Sequence, residues 1–230
     1  MNLSQAKSIA GTLGFPSKMP GTSYGLPADK CIIGAKLVAV PGSVCHGCYA
    51  LSGRYQWSNA VKSLNKRLAA LSDPGWVTAM IFLLKHKHRH HHFRIDLGRV
   101  KKGQQRWRMN VAGYHRWHDS GDLQGVWHLA KICEVATGTP NIRHWIATRE
   151  AKMVKDFVIG GGIVPDNLTI RISSTMVDRG PPMSWPLTST VHDKADPIGH
   201  RCPAPTQNHE CGSCRACWSR DVPNVSYHKH

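Results

Sequence analysis

Between Met109 and His192 the chain switches repeatedly between a strand period and a helix period, and this alternation constrains the fold more than any other feature. "MNVAGYHRWHDS" reads as strand, and "DLQGVWHLAKICEVA" places Leu123, Val126, Trp127, Ala130 and Cys133 on one helical stripe before Gly138 and Pro140 end it. "IRHWIAT" is strand, "REAKMVKDFVI" a helix closed by Gly160 to Gly162, "LTIRISS" strand, and "TSTVH" a last short strand. Strands separated by helices pair in parallel, because a crossover returns the chain to the same edge of the sheet. The expected fold class is therefore α/β, with a parallel sheet and crossover helices.

In such sheets ligands lie beyond the carboxyl ends of the strands. The polar residues there are Asp119, Ser120 and Asp122 after the first strand, and Thr148, Arg149 and Glu150 after the second. Ser173 and Ser174 follow the third, and His192 and Asp193 the last. Together they predict one ring at one mouth. Asp119, Ser120, Asp122 and Arg149 are the candidate catalytic group, a carboxylate serving as base or nucleophile while the guanidinium binds phosphate or holds the acid ionised. Thr148 and Ser173 are candidate cofactor contacts. Caps and structural salt bridges explain the same residue types.

The chain reads as one domain over 1–230, with a loop-rich segment at 1–57, an α/β core at 58–193 and a cysteine-rich tail at 194–230. Val61, Leu64, Leu68 and Leu71 predict a helix over 58–71. Asp73-Pro74 predicts the start of a second helix running into "HKHRHHH", His86 to His92. No apolar run is long enough for a signal peptide or a membrane span, which predicts a cytoplasmic protein without a membrane partner.

In a reducing compartment, eight cysteines at short spacings read as metal ligands rather than disulfides. "RCPAPTQNHECGSCRACWSR" carries Cys202, Cys211, Cys214 and Cys217 among tight turns, so that the thiolates can curl onto one centre. That geometry suits an iron-sulfur cluster, with tetrahedral zinc as the alternative. Cys45 and Cys48, joined by Cys31, form a second group with one coordination position open. In a four-iron cluster the open iron could take a substrate or S-adenosylmethionine; in a zinc site His46, or a residue from elsewhere, completes the set. A thiol from the far end is a further candidate to close it. Cys133, on an apolar helical stripe, reads as core.

Thirty Lys and Arg against fourteen Asp and Glu give a net charge of +16, the footprint of a protein that meets polyanions, nucleic acid first among them. The excess is greatest in a His-rich insertion at 85–108, where nine Lys and Arg face Asp96 alone. It reads as a phosphate-contacting surface or as a solvated hairpin. Trp107, Trp117, Trp127 and Trp145 include candidate base-stacking residues, although tryptophan at strand and helix positions is usually core.

Through "CHGCYALSGRY", "RWHDSGDLQ", "HWIATRE", "NLTIRISS" and "CPAPTQNHECGSCRACW", from roughly Lys18 to Trp218, the chain resembles the gene product 88 family of phages and mobile elements. More distantly, "CHGCYA", "IATRE" and "LTIRISS" are similar to radical-SAM-like partial barrels, whose Cys-x-x-Cys-Tyr element near the N-terminus helps hold a four-iron cluster. That resemblance implies an incomplete TIM-like barrel and an iron-sulfur enzyme acting on nucleic acid. Thirteen residues separate Cys31 from Cys45, where the usual radical-SAM pattern has three between its first two cysteines. "HDSGDLQ" is also similar to the Asp-Ser-Gly-Gly-Phe-Gln motif of guanine transglycosylases, including phage enzymes that place deazaguanine in DNA. That likeness implies base contacts by Asp119 and Ser120, with zinc as a structural ion. A third expectation is a non-catalytic, metal-stabilised nucleic-acid-binding protein.

Overall fold

A computed structural model describes residues 1–89, 92–100, 104–183 and 185–229, with 92–100 and 104–111 as backbone alone. Its main feature is a seven-stranded sheet in which every pairing is parallel. The strands are β1 (Thr22–Tyr24), β4 (Tyr114–Trp117), β5 (Arg143–Thr148), β6 (Leu168–Ser173), β7 (Thr188–His192), β8 (His200–Arg201) and β9 (Asn224–His228), in the order β1-β4-β5-β6-β7-β9-β8. From β1 to β7 each parallel strand lies beside the next one in the chain, without a switch of direction. Strands β2 (His92–Val100) and β3 (Gln104–Val111) form a separate antiparallel hairpin.

The helices are α1 (Leu3–Ala10), α2 (Ile32–Leu37), α3 (Ser58–Ala70), α4 (Trp76–Lys87), α5 (Val126–Thr137) and α6 (Ala151–Ile159). Alternate strand residues point to opposite faces. Trp117, Ile146, Ile170 and Ile172 enter the main core with Ala6 and Ala10 of α1, Leu83 of α4, Leu129 of α5 and Val154 of α6. The other face presents Trp145 to Met19 and Trp218, flanked by Tyr114, Ala147, Cys211, Cys217 and Tyr227. The cysteine-rich tail thus lies across the face that the helices leave bare.

Arg171 of β6 fastens that tail. It is fully buried, and its guanidinium donates to the carbonyls of Cys217, Thr188, Pro223, Ala216 and Ser219 at 2.7–3.4 Å. Thr169 Oγ1 donates to Trp218 O, and Trp218 Nε1 to His115 O. On this face, the inner one because the tail covers it, Arg116 of β4 and Tyr227 of β9 are electrostatic neighbours. β1 and β8 are the two edges of the sheet.

Several sequence expectations change. The loop-rich first third contains α1, capped reciprocally by Asn2 and Gln5, and the edge strand β1. The strand expected from Met109 divides at a turn, its first part pairing in the hairpin and Tyr114–Trp117 in the parallel sheet. Helix α5 begins at Val126 rather than near Asp122, and its buried side is His128, Leu129, Ile132, Cys133, Val135 and Ala136. Val126 and Trp127 are 37% and 48% exposed, because the helix rests between the sheet and α4 on the face next to the expected stripe. Arg67 of α3 is buried, donating to Thr12 O and Gly25 O. The tail contributes β8 and β9 rather than loops alone. His90 and His91 lie outside the described residues; His88 is structural, bonded to Thr22 Oγ1 and to the Gly113 amide. Among the described residues, no helix is long and apolar enough to cross a membrane.

Candidate functional site

Strand β1 delivers the chain to the carboxyl edge of the sheet, and the segment that follows is tied down across that edge. Leu26 and Ser120 exchange two bonds, Leu26 N to Ser120 O at 2.7 Å and Ser120 Oγ to Leu26 O at 2.6 Å. Cys31 precedes α2, whose Ile33 amide donates to Glu150 Oε1 at 2.8 Å, just after β5. Further on, Val44 N donates to Thr175 O and Val177 N to Gly42 O, which stitches the Cys45 loop to the loop after β6. Gly47, at φ 70°, makes the turn between Cys45 and Cys48. Tyr49 Oη then donates to Asp119 O at 2.7 Å, and Tyr55 Oη approaches Asp119 Oδ2 at 3.4 Å.

These ties bring Cys31, Cys45 and Cys48 over the ends of β4 and β5. The Cys31 thiol is pushed up to about 12, first by burial and then by Asp122, Cys48 and Cys45, with Arg149 opposing. Burial raises Cys45 too, and Arg149 is the leading offset. Gly34 marks the space between the sulfurs. A Cβ there would lie 2.9 Å from Cys31 Cβ, 3.5 Å from Cys31 Sγ and 3.7 Å from Cys45 Sγ. All eight cysteines are free thiols. Among the described residues, no three His, Cys, Asp or Glu side chains converge closely enough to hold one metal ion.

The two acids after β4 have different surroundings. Asp122 is buried and fully engaged: Oδ1 accepts from Thr148 Oγ1 at 2.5 Å and Leu123 N at 2.8 Å, and Oδ2 from Arg149 N at 3.0 Å. Burial raises its pKa, against the pull of those bonds. Asp119 keeps Oδ1 sealed from solvent without a hydrogen-bond partner, facing the bare side of Gly25, where a Cβ would stand 2.6 Å away. Arg149 has an equally sealed and unpartnered Nε.

The expected ring is therefore realised in part. Asp119, Asp122, Thr148, Arg149 and Glu150 gather beneath the N-terminal thiols. Ser120 is spent on Leu26, Ser173 shares a 2.9 Å bond with Ser189, and His192 bonds Ser226 at 2.8 Å. Asp193 pairs with Lys229. Of the tryptophans, Trp117 and Trp145 are core and Trp127 is exposed, while the Trp107 side chain lies outside the described residues. Tyr49 and Tyr55 belong to the site but were not singled out from the sequence; the signal was their place within "CHGCYALSGRY".

The C-terminal thiols form a separate group on the inner face. The electrostatic partners of Cys202, Cys211, Cys214 and Cys217 include one another, with Arg215, Arg116 and Arg171 nearby. Cys214 Sγ lies 3.4 Å from His200 Nε2, and Cys217 Sγ 3.1 Å from Tyr227 Oη. Burial pushes Cys217 up to about 12. The group is anchored to the N-terminal segment by Cys211 N, which donates to Lys18 O at 2.8 Å.

A family model described as Gene product 88 matches residues 1–220 of the chain. No curated protein and no solved structure matches it.

Proposed function

We propose that this chain, which belongs to the Gene product 88 family, is an iron-sulfur enzyme of phage origin that modifies nucleic acid from an incomplete barrel. The neighbourhood of Cys31, Cys45 and Cys48 at the strand ends, with the Cys31 and Cys45 sulfurs at the bare side of Gly34, carries the reading. Burial and the neighbouring sulfurs raise the thiols of Cys31 and Cys45, which keeps those two protonated unless a cation joins them, and a bound metal reverses that balance. A single zinc ion holds its sulfurs about 2.3 Å from the metal and so about 3.8 Å apart. In a polynuclear cluster each thiolate holds a different iron, so the three thiols need only be neighbours and need not meet at one point.

Cys31, Cys45 and Cys48 would hold a four-iron cluster with one iron free for S-adenosylmethionine or substrate, and the cluster would supply the electron for the reaction. The chain's own residues do the rest. Arg149 lies among the thiolates as the compensating cation, and Asp122 fixes the Arg149 backbone from below. Asp119, whose sealed Oδ1 has no hydrogen-bond partner within the protein, would be the carboxylate that accepts a proton or binds a base edge once a substrate opens that seal. Cys202, Cys211, Cys214 and Cys217 would hold a second iron-sulfur or zinc centre that fixes the tail on the inner face. The net charge of +16 and the basic hairpin sequence support nucleic acid as the substrate class. The free Asp119 oxygen also favours a second reading, a base-exchanging transglycosylase with structural zinc.

The test is nucleoside mass spectrometry of DNA and of tRNA incubated anaerobically with reduced, iron-reconstituted protein and S-adenosylmethionine. A new nucleoside mass that disappears with Cys45→Ser supports the reading. Salt-dependent binding without any mass change, in both nucleic acids, would point instead to a binding protein.

A further inference from the structure

We infer that Arg116 is the anchor of an oxyanion-binding site on the inner face of the sheet, taking a carboxylate or phosphate group of a small ligand. Arg116 has Asp119, Tyr49 and Tyr55 of the strand-end site and Cys211 of the C-terminal thiol group as electrostatic neighbours, and the inference rests on its unsatisfied hydrogen-bond donors rather than on a metal at either thiol group. It begins from the contrast between two arginines on the same face. Arg171 has every donor satisfied by backbone carbonyls, which makes it a structural clamp. Arg116 is half-buried and is not satisfied. Among the described residues its hydrogen-bond acceptor is the weak Met19 Sδ at 3.7 Å, and its Nε is sealed from solvent with no partner.

A guanidinium N–H sealed from water without an acceptor is costly unless a hydrogen-bonding group meets it. Ion pairs among the described residues are Lys30 with Asp29, Lys152 with Asp156, Arg220 with Asp166 and Lys229 with Asp193. Arg116 is in none of them; Asp119 is an electrostatic neighbour without being an ion-pair partner. The guanidinium is also aimed. It lies over the Trp145 indole, 4.7 Å from the ring centroid, on the strand residue that pairs with Arg116 in register. A cation held over an indole face is fixed in position, and its N–H groups remain able to meet an acceptor.

The chemistry of the surroundings identifies the ligand class. Trp145 Nε1 is a second sealed N–H without an acceptor on this face. The phenols of Tyr49, Tyr55 and Tyr227 are electrostatic neighbours of Arg116. One unsatisfied guanidinium N–H beside one unsatisfied indole N–H calls for a group that accepts hydrogen bonds and carries negative charge, which carboxylate and phosphate share.

Thermal unfolding of the full chain tests this with inorganic phosphate, with acetate, and with chloride at matched ionic strength. The unfolding midpoint is expected to rise with phosphate or acetate, and to keep rising with the logarithm of its concentration. A response to phosphate alone identifies a phosphate ligand, and one to acetate alone a carboxylate. Arg116→Met, which places a thioether of similar reach beside Met19 and Trp145, should abolish the response while unfolding, without anion, no earlier than the wild type. Trp145→Phe keeps the ring and removes one donor, and should weaken anion binding several-fold. The inference is overturned if neither anion acts beyond chloride, or if Arg116→Met and Trp145→Phe respond as the wild type does.

Discussion

Thr148 Oγ1 donates to Asp122 Oδ1 across 2.5 Å, joining the end of β5 to the loop after β4 directly beneath the N-terminal thiols. The same hydroxyl accepts from Glu150 N at 3.0 Å, and Glu150 in turn holds the Ile33 amide beside Cys31. Thr148→Val keeps the shape and removes both bonds, leaving a buried carboxylate oxygen short of a donor and an amide without an acceptor. The expected cost is about 1–3 kcal/mol, read from urea unfolding. A value near zero would mean that Asp122 does not hold the two strand ends together.

Gly34→Ala separates fold from metal. Alanine inside a helix ordinarily favours the helix over glycine by about 1 kcal/mol, but here the methyl group would point at Cys31 and Cys45. The substituted protein is therefore expected to remain folded by circular dichroism and to take up less iron. Undiminished iron would place the metal elsewhere than the space beside Gly34.

Arg171→Lys should loosen the cysteine-rich tail. Lysine has three donors in place of the planar fork that reaches five carbonyls, so several buried carbonyls lose their partner. The predicted loss is about 3–5 kcal/mol in chemical unfolding. Faster reaction of Cys217 with a thiol reagent should accompany it, because Cys217 O is one of the carbonyls released.

Acid should destabilise the protein through its buried histidines. Burial holds His88 down to about 4 and His128 and His144 down to about 3, and holds His115 and His118 well below the ordinary value. His144 shows why it stays neutral. Its Nδ1 accepts from Trp117 Nε1, so Nε2 carries the proton and donates to Thr139 Oγ1, which passes its own hydrogen to Val135 O. Below pH 6.5 the unfolded chain binds protons that the folded chain refuses. Stability is then full above that pH and falls as pH drops toward 4, by about 1.4 kcal/mol per pH unit for each such histidine. His144→Gln should flatten the slope by about one proton in pH-dependent urea unfolding; an unchanged slope would contradict a neutral His144.

The strand and helix order was legible because β5, α6, β6 and β7 are long enough for their periods to show. The edge strand β1 escaped because three residues carry no period, and its role depends on pairing with Tyr114–Trp117 far along the chain. Asp122, Thr148 and Arg149 were legible as strand-end residues, whereas the engagement of Asp122 and the freedom of Asp119 depend on contacts that no spacing encodes. Arg116 was invisible for the same reason. In a sequence with a large excess of Lys and Arg, one strand arginine stands out only when its neighbours are seen to leave it unpaired.

Iron and acid-labile sulfide per chain, measured with the visible absorption spectrum after anaerobic purification, test the central claim most directly. The account predicts a brown protein with at least about four irons and four sulfides per chain, and loss of about four of each when Cys31, Cys45 and Cys48 are all replaced by serine. A colourless protein that contains zinc alone, or one whose iron is indifferent to those three substitutions, would contradict it.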